Sequence, residues 1–386
     1  MFIDDLRADL DEIDRLGLVR HRRSQQSPCG PHVLRDGREY LSFCSNDYLG
    51  LAAAPALVDA LAEGARHWGA GAGASHLVSG HYAVHDELER ALASFCGCER
   101  AISFSTGYMA NLAAVGTLAG RSDAIFADRL NHASLVDGAL LSRARLCRYP
   151  HLDLDHLAHQ LATTPARRRL IVSDTVFSMD GDLAPVPQLL ELAERHDALL
   201  VLDDAHGLGV LGPQGRGSLA HFDLVSPRLV LIGTLGKAAG LAGAFVAGQA
   251  DVIEWLLQKA RSYIFTTAAP PALAHALLQA LDLIRAADSR RAALRELVAH
   301  LRSGLRAGGW RTMDSATPIQ PVIVGGNRET LALSRSLDEA GVWVPAIRPP
   351  TVPEGSARLR ISLSAAHARA DVDRLLYVLG RREAGA

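Results

Sequence analysis

Between residues 101 and 234, five short apolar runs each end in residues that can bind or move protons. Ser105, Thr106, Gly107 and Tyr108 follow the run 101–104, and Asn131 and His132 follow 124–127. Asp174, Thr175 and Ser178 follow 170–173; Asp203, Asp204 and His206 follow 198–202; Thr234, Gly236 and Lys237 follow 229–232. A lysine at the end of a buried strand is desolvated, which lowers its pKa and makes its amine a nucleophile toward an aldehyde. A carboxylate one unit earlier, Asp203, can keep a pyridine nitrogen protonated, so that the ring draws electrons from a bound substrate. The turn at Gly107, running into a helix, offers free N–H groups and a favourable dipole to a phosphate. His132 can cover the face of such a ring. Singly these are weak signals, because a strand-end aspartate is more often a helix cap and a lone histidine more often structural. Their joint order on successive strands reverses that balance.

Three glycine-rich stretches compete for attention. Residues 207–212 match G-x-G-x-x-G after a strand, but the helix a dinucleotide loop requires is replaced by Pro213-Gln214-Gly215-Arg216-Gly217. Gly236-Lys237 resembles the end of a phosphate loop, yet position 231 is Leu and position 238 is Ala. Gly69-Ala70-Gly71-Ala72-Gly73 follows a helical stretch and suits a close backbone approach to a ligand. Five cysteines lack metal-ligand spacing, Cys96-Gly97-Cys98 included, and no metal is expected.

The runs that carry these residues are too short for helices and lack polar alternation, as strands covered on both faces do. With 244–247 they alternate with helical stretches and predict a largely parallel α/β sheet. Beyond residue 275 the pattern changes to one long helix over 272–305, strands at 319–324, 342–347 and 358–363, and helices at 329–340 and 370–381. At the N-terminus Phe2, Leu6, Leu10, Ile13 and Leu16 form one apolar stripe on an acidic helix, which predicts docking on the body or on a partner subunit. The chain of 386 residues exceeds the usual single-core limit. Its net charge of −2 gives no bias toward nucleic acid or membrane. The N-terminus lacks a signal peptide, no apolar stretch is long enough to span a bilayer, and a cytoplasmic enzyme is expected.

Several longer stretches carry a family resemblance over nearly the whole chain. They are Ser45-Asn46-Asp47-Tyr48-Leu49-Gly50-Leu51, Asp128-Arg129-Leu130-Asn131-His132-Ala133-Ser134, Val176-Phe177-Ser178-Met179-Asp180-Gly181-Asp182, Asp203-Asp204-Ala205-His206-Gly207 and Gly233-Thr234-Leu235-Gly236-Lys237. Together they resemble the α-oxoamine synthases, fold-type-I enzymes that use pyridoxal 5'-phosphate. The resemblance implies an aminotransferase-like α/β fold: a large domain on a mostly parallel central sheet and a smaller C-terminal α+β domain. The expected segments are an N-terminal helix and arm (1–45), a cofactor-binding domain (46–280) and a C-terminal domain (281–386).

By the same resemblance, Lys237 is the lysine that holds the cofactor and serves as general base. Asp203 partners the pyridine nitrogen, His132 stacks on the ring, and His206 lies near the phenolic oxygen. Gly107, Tyr108, Ser178 and Thr234 contact the cofactor, while Thr266 and Thr267 reach the phosphate of the neighbouring subunit in a homodimer. Arg360 and Asn46 hold an amino-acid carboxylate. The stretch 346–353, with Arg358-Leu359-Arg360, points to the branch that joins L-alanine to a pimeloyl thioester, on coenzyme A or acyl carrier protein. There Arg20, Arg348 and Thr351 govern the acyl chain. Rival readings are a sister activity on glycine and another acyl-CoA, a non-catalytic cofactor-binding protein, and a dinucleotide oxidoreductase built on residues 207–212.

Overall fold

The structure, a computed structural model, describes residues 1–380. Residue 381, the expected end of the last helix, and residues 382–386 of the expected C-terminal domain lie outside the described residues. Two compact units form: a larger one of Leu49–Ser178 and Leu183–Arg291, and a smaller one of Met1–Tyr48, Met179–Asp182 and the chain from Ala292 onward.

The chain begins in the smaller unit with α1 (Phe2–Arg15), β1 (His32–Arg35) and β2 (Arg38–Ser42). No residue of α1 is buried, so its apolar stripe is exposed rather than docked on the body of this chain. The β1–β2 hairpin turns at Asp36 and Gly37, both with positive φ, the conformation a two-residue hairpin turn needs.

In the larger unit, α2 (Pro55–Trp68) and α3 (Ala83–Cys96) precede β3 (Arg100–Phe104), α4 (Gly107–Leu118), β4 (Ala124–Asp128), α5 (Ala133–Ser142) and β5 (Arg145–Tyr149). Then come α6 (Leu154–Thr163), β6 (Arg169–Asp174), α7 (Val186–Arg195), β7 (Ala198–Asp203), α8 (Ser218–His221), β8 (Leu229–Thr234) and β9 (Ala244–Gly248). Helices α9 (Ala250–Lys259), α10 (Arg261–Ile264) and α11 (Pro271–Arg285) complete it. The strands make one seven-stranded sheet in the order β3-β9-β8-β7-β6-β4-β5. Strand β9 is antiparallel to both its neighbours, and the other pairs are parallel. Leu200, Val201 and Leu202 of β7 are wholly buried, each contributing about 1.5–3 kcal/mol by leaving water. The edge strand β5 was not expected, because exposed Arg145 and Arg148 flank half-buried Leu146 and Cys147 and break the apolar run of a central strand.

The long helix expected over 272–305 is two helices, α11 and α12 (Asp288–Ala307). Periodicity reads through the break, but Asp288 is a helix-start residue and accepts from Arg291 at 2.7 Å. In the smaller unit follow β10 (Ile319–Gly325), α13 (Asn327–Glu339), β11 (Val342–Trp343), β12 (Ala346–Ile347), β13 (Ala357–Ser362) and α14 (Arg369–Gly380). The strand expected over 342–347 is therefore two: β11 pairs parallel with β2, and β12 pairs antiparallel with β13. Pro345 between them has no N–H to continue a ladder. No helix of the described residues is long and apolar enough to cross a membrane.

Candidate active site

The C-terminal ends of the parallel strands form the pole where an open α/β sheet binds ligands. Asp174 ends β6 and Asp203 ends β7, and the two are register partners. Lys237 lies in the turn after β8, and its Nζ is 2.8 Å from Nε2 of buried His206. Asp203 accepts from Asn111 Nδ2 at 2.7 Å and from the Ala205 N–H at 2.9 Å. Asn111 also donates to Ser134 Oγ at 2.7 Å, and Ser134 Oγ is 2.7 Å from His132 Nδ1. A chain of side chains, buried at Asp203, Asn111 and Ser134, thus links the pyridine-partner candidate to the more exposed ring-stacking candidate.

That chain fixes a tautomer. His132 Nδ1 accepts from the Ser134 backbone N–H at 3.4 Å, so it also accepts from Ser134 Oγ, which itself accepts from Asn111, and the imidazole proton sits on Nε2. Burial lowers the His132 pKa from its ordinary value, against the pull of the Asp203 charge, so the ring is neutral near pH 7. His132 is also the N-cap of α5, which pins its backbone, and its N–H donates to Asp174 at 2.8 Å. Burial, joined by the Asp203 charge, raises Asp174 well above the usual carboxyl range. The two adjacent carboxyl groups are both buried, and burial penalises the ionised form of Asp174.

Sequence reasoning missed Asn111 and Ser134. The available signal was position: Asn111 lies one helical turn beyond Gly107, on an otherwise apolar helix, α4.

The start of α4 is the helix N-terminus suited to a phosphate. Thr106 caps the helix, accepting from Met109 N–H at 3.2 Å. A Cβ on Gly107 would sit 3.6 Å from Thr234 Oγ1, which places the helix start beside the end of β8. Tyr108 donates its hydroxyl proton to Asp137. Amine, carboxylate, flat neutral imidazole and helix N-terminus are the donor set a pyridine aldehyde phosphate calls for, and the residues fit it. Ser178 closes the first segment of this unit. Thr266 (half-buried) and Thr267 (exposed) lie apart, on the segment after α10.

In the smaller unit, buried Arg360 of β13 donates to Asn46 Oδ1 at 3.1 Å and to Ser362 Oγ at 2.6 Å. Its neighbour Arg358 has an acid partner, Asp180, at 2.6 Å. Arg20, Arg348 and Thr351 line one cavity of about 410 Å³ with Leu18, Trp343 and Ile347. Arg348 donates to the carbonyls of Gly17 and Val19. Burial and the Arg20 charge pull its pKa below the ordinary guanidinium value. Such a site is improved by an anion.

The stretch 207–212 forms a turn followed by a 3-10 turn at Pro213–Gly215, without the helix of a dinucleotide loop. Its glycine has another cause. A Cβ on Gly207 would lie 2.1 Å from Asp204 Oδ1. Asp204 is a buried structural carboxyl that accepts from Thr175 Oγ1 at 2.5 Å and Ser218 N–H at 2.9 Å, with its pKa pushed up by burial to about 6.

Known proteins resemble the chain throughout. The family of class I and II aminotransferases matches residues 38–379. An 8-amino-7-oxononanoate synthase of Aromatoleum aromaticum is 65% identical over 384 residues, spanning 100% of both chains. A serine palmitoyltransferase of S. paucimobilis, solved with a bound PLP–myriocin aldimine, superposes with a TM-score of 0.92 at 29% identity, covering 99% of this chain and 98% of that one. The 8-amino-7-oxononanoate synthase of Francisella tularensis superposes with a TM-score of 0.78 at 31% identity, over 89% of this chain and 98% of that one. The expected fold is the one observed, and the chain belongs to the class I and II aminotransferase family, among its 8-amino-7-oxononanoate synthases.

Proposed function

We propose that the chain condenses L-alanine with a pimeloyl thioester, releasing carbon dioxide and the free thiol carrier and forming 8-amino-7-oxononanoate for biotin biosynthesis. The observation that carries this reading is the hydrogen-bonded set at the strand ends: Lys237 against His206, and Asp203 tied through Asn111 and Ser134 to His132. Pyridoxal phosphate, when bound, supplies an aldehyde for the amino group and a protonated ring that withdraws electrons from the α-carbon.

The chain's own residues do the rest. Lys237 Nζ holds the cofactor and takes the α-proton as general base. The Asp203 carboxylate, oriented by Asn111, holds the proton on the ring nitrogen. His132, neutral with its proton on Nε2, covers the ring and donates to the acyl carbonyl oxygen as charge builds there. Gly107, Tyr108, Ser178, Thr234 and the α4 N-terminus hold the cofactor. Arg360 and Asn46 hold the alanine carboxylate, and Arg20, Arg348 and Thr351 hold the acyl chain. The two guanidinium groups of that cavity suit a chain that ends in a carboxylate.

The working unit is a homodimer in which Thr266 and Thr267 serve the neighbouring copy's phosphate. The same reading places the enzyme in the cytoplasm, where its five cysteines, all free in this structure, stay reduced. The test is product analysis with labelled L-alanine and glycine against pimeloyl and shorter acyl thioesters, on coenzyme A and on acyl carrier protein. Alanine and the pimeloyl chain are expected to give product on at least one carrier. Turnover with glycine alone would overturn the reading.

A further inference from the structure

We propose that His76, His81 and His85 form a binding site for a divalent transition-metal ion of the zinc class, separate from the catalytic pole. Their three rings are mutual neighbours, with centroids 5.0, 5.1 and 5.4 Å apart. Each offers a ring nitrogen, and these lie within 4.8 Å of one another. The cluster is built by local structure: a π-helical turn over His76–Gly80 presents His76, and His85 follows in the first turn of α3. Stacking on Tyr263, at 4.8 Å and 8° between planes, holds the His76 ring.

The protons are already placed as a metal site needs. His81 Nε2 is 3.0 Å from Asp86 Oδ1, and His85 Nε2 is 3.0 Å from the Ala269 carbonyl. Both partners only accept, so both Nε2 atoms carry protons and both Nδ1 atoms present lone pairs. A carboxylate or carbonyl on the far nitrogen is the outer support that metal-binding histidines have. Nδ1 of His81 faces Nδ1 of His76 at 2.7 Å, which requires one proton between them. A cation replaces that proton. With metal–nitrogen bonds of about 2.0–2.1 Å in a tetrahedron, the two nitrogens sit about 3.3–3.4 Å apart, so they separate by more than half an ångström from their present 2.7 Å, within reach of ring rotation. His85 is the third ligand once its Nδ1 exchanges the Tyr82 N–H bond, now 3.0 Å long, for the ion. An all-imidazole set selects zinc, copper or nickel over magnesium or calcium.

Beside His76 and His81 lies a cavity of about 230 Å³, also lined by Asp86 and Glu89, with room for a water as fourth ligand. Glu89 is anchored by the N–H and hydroxyl of Ser103, each at 2.8 Å, and Arg100 on the same wall is paired with Glu254 at 2.7 Å.

The test uses tag-free holoenzyme stripped with a chelator, then dialysed against buffered zinc and separately against cobalt. One zinc per chain is expected, with cobalt giving the visible bands of a low-coordinate nitrogen site. His81→Asn and His76→Gln should each weaken zinc binding by about 10–100-fold or more and abolish those bands. Zinc should raise the unfolding temperature of the parent protein and leave the His81→Asn protein unmoved. Equal zinc binding by parent and variants overturns the proposal, as does a parent protein with no zinc and no cobalt bands. Should His76→Gln fail to fold, the cobalt spectrum of the parent against the partly exposed His81→Asn decides.

Discussion

At the scale of single residues, the catalytic pole depends on where protons sit. Lys237→Ala removes the base and the covalent anchor together, so turnover should fall at least about 10²-fold, with loss of the absorbance of covalently held cofactor. Asn111→Ala leaves every proposed substrate contact in place but takes one donor from Asp203 and frees Ser134. Its kcat should drop about 10–100-fold, roughly one good charged hydrogen bond, with faster cofactor release in gel filtration. Unchanged kinetics and retention would show that Asp203 needs no such support. The His132 pKa is lowered on folding. Its neutral form therefore contributes stability that is complete above about pH 6.5 and is lost as pH falls through the lowered folded value. His132→Asn should flatten that part of the curve, measured by denaturant unfolding of the cofactor-free chain across the acid range.

At the scale of elements, β7 shows how packing places chemistry. Its apolar side chains have one arrangement in the sheet, and that arrangement leaves Asp203 at the end, opposite Asp174. Leu202→Ala should cost about 2–5 kcal/mol in urea unfolding and lower activity further by loosening the adjoining aspartate. The turn that follows has less tolerance. Gly207→Ala drives a Cβ into the Asp204 carboxyl, and a markedly lower unfolding temperature or insoluble protein is expected. A fully stable Gly207→Ala protein would mean that Asp204 can move. Where the elements differ from expectation, the causes are local: Asp288 starts a helix inside an apolar periodicity, and Pro345 splits a strand. The Asp36-Gly37 hairpin carried a clear turn signal that apolar periodicity alone passes over.

At the scale of the whole molecule, the homodimer reading makes a sharp demand. If Thr266 and Thr267 serve the neighbouring copy, a mixed dimer of Lys237→Ala with a Thr266→Ala/Thr267→Ala chain contains one intact site. Activity should then return on mixing and refolding two variants that are each impaired alone. No recovery in a dimer verified by light scattering would place these threonines in their own subunit's site or outside any site.

The sequence by itself determined the central strands β3, β4, β6, β7, β8 and β9, because their apolar runs have only one way to leave water, and it determined which residues stand at their ends. Lys237, Asp203, His132 and Gly107 were legible for that reason, being fixed by a short covalent distance from a buried strand. Only the tertiary structure decided what lies between them. Asn111 and Ser134 come from α4 and α5, burial beneath the sheet end and then the neighbouring Asp203 raise the Asp174 pKa, and His206 meets Lys237 across 31 residues. These are relations between distant segments, and the free energy that sets them, burial of polar groups against one another, exists only after the sheet has formed.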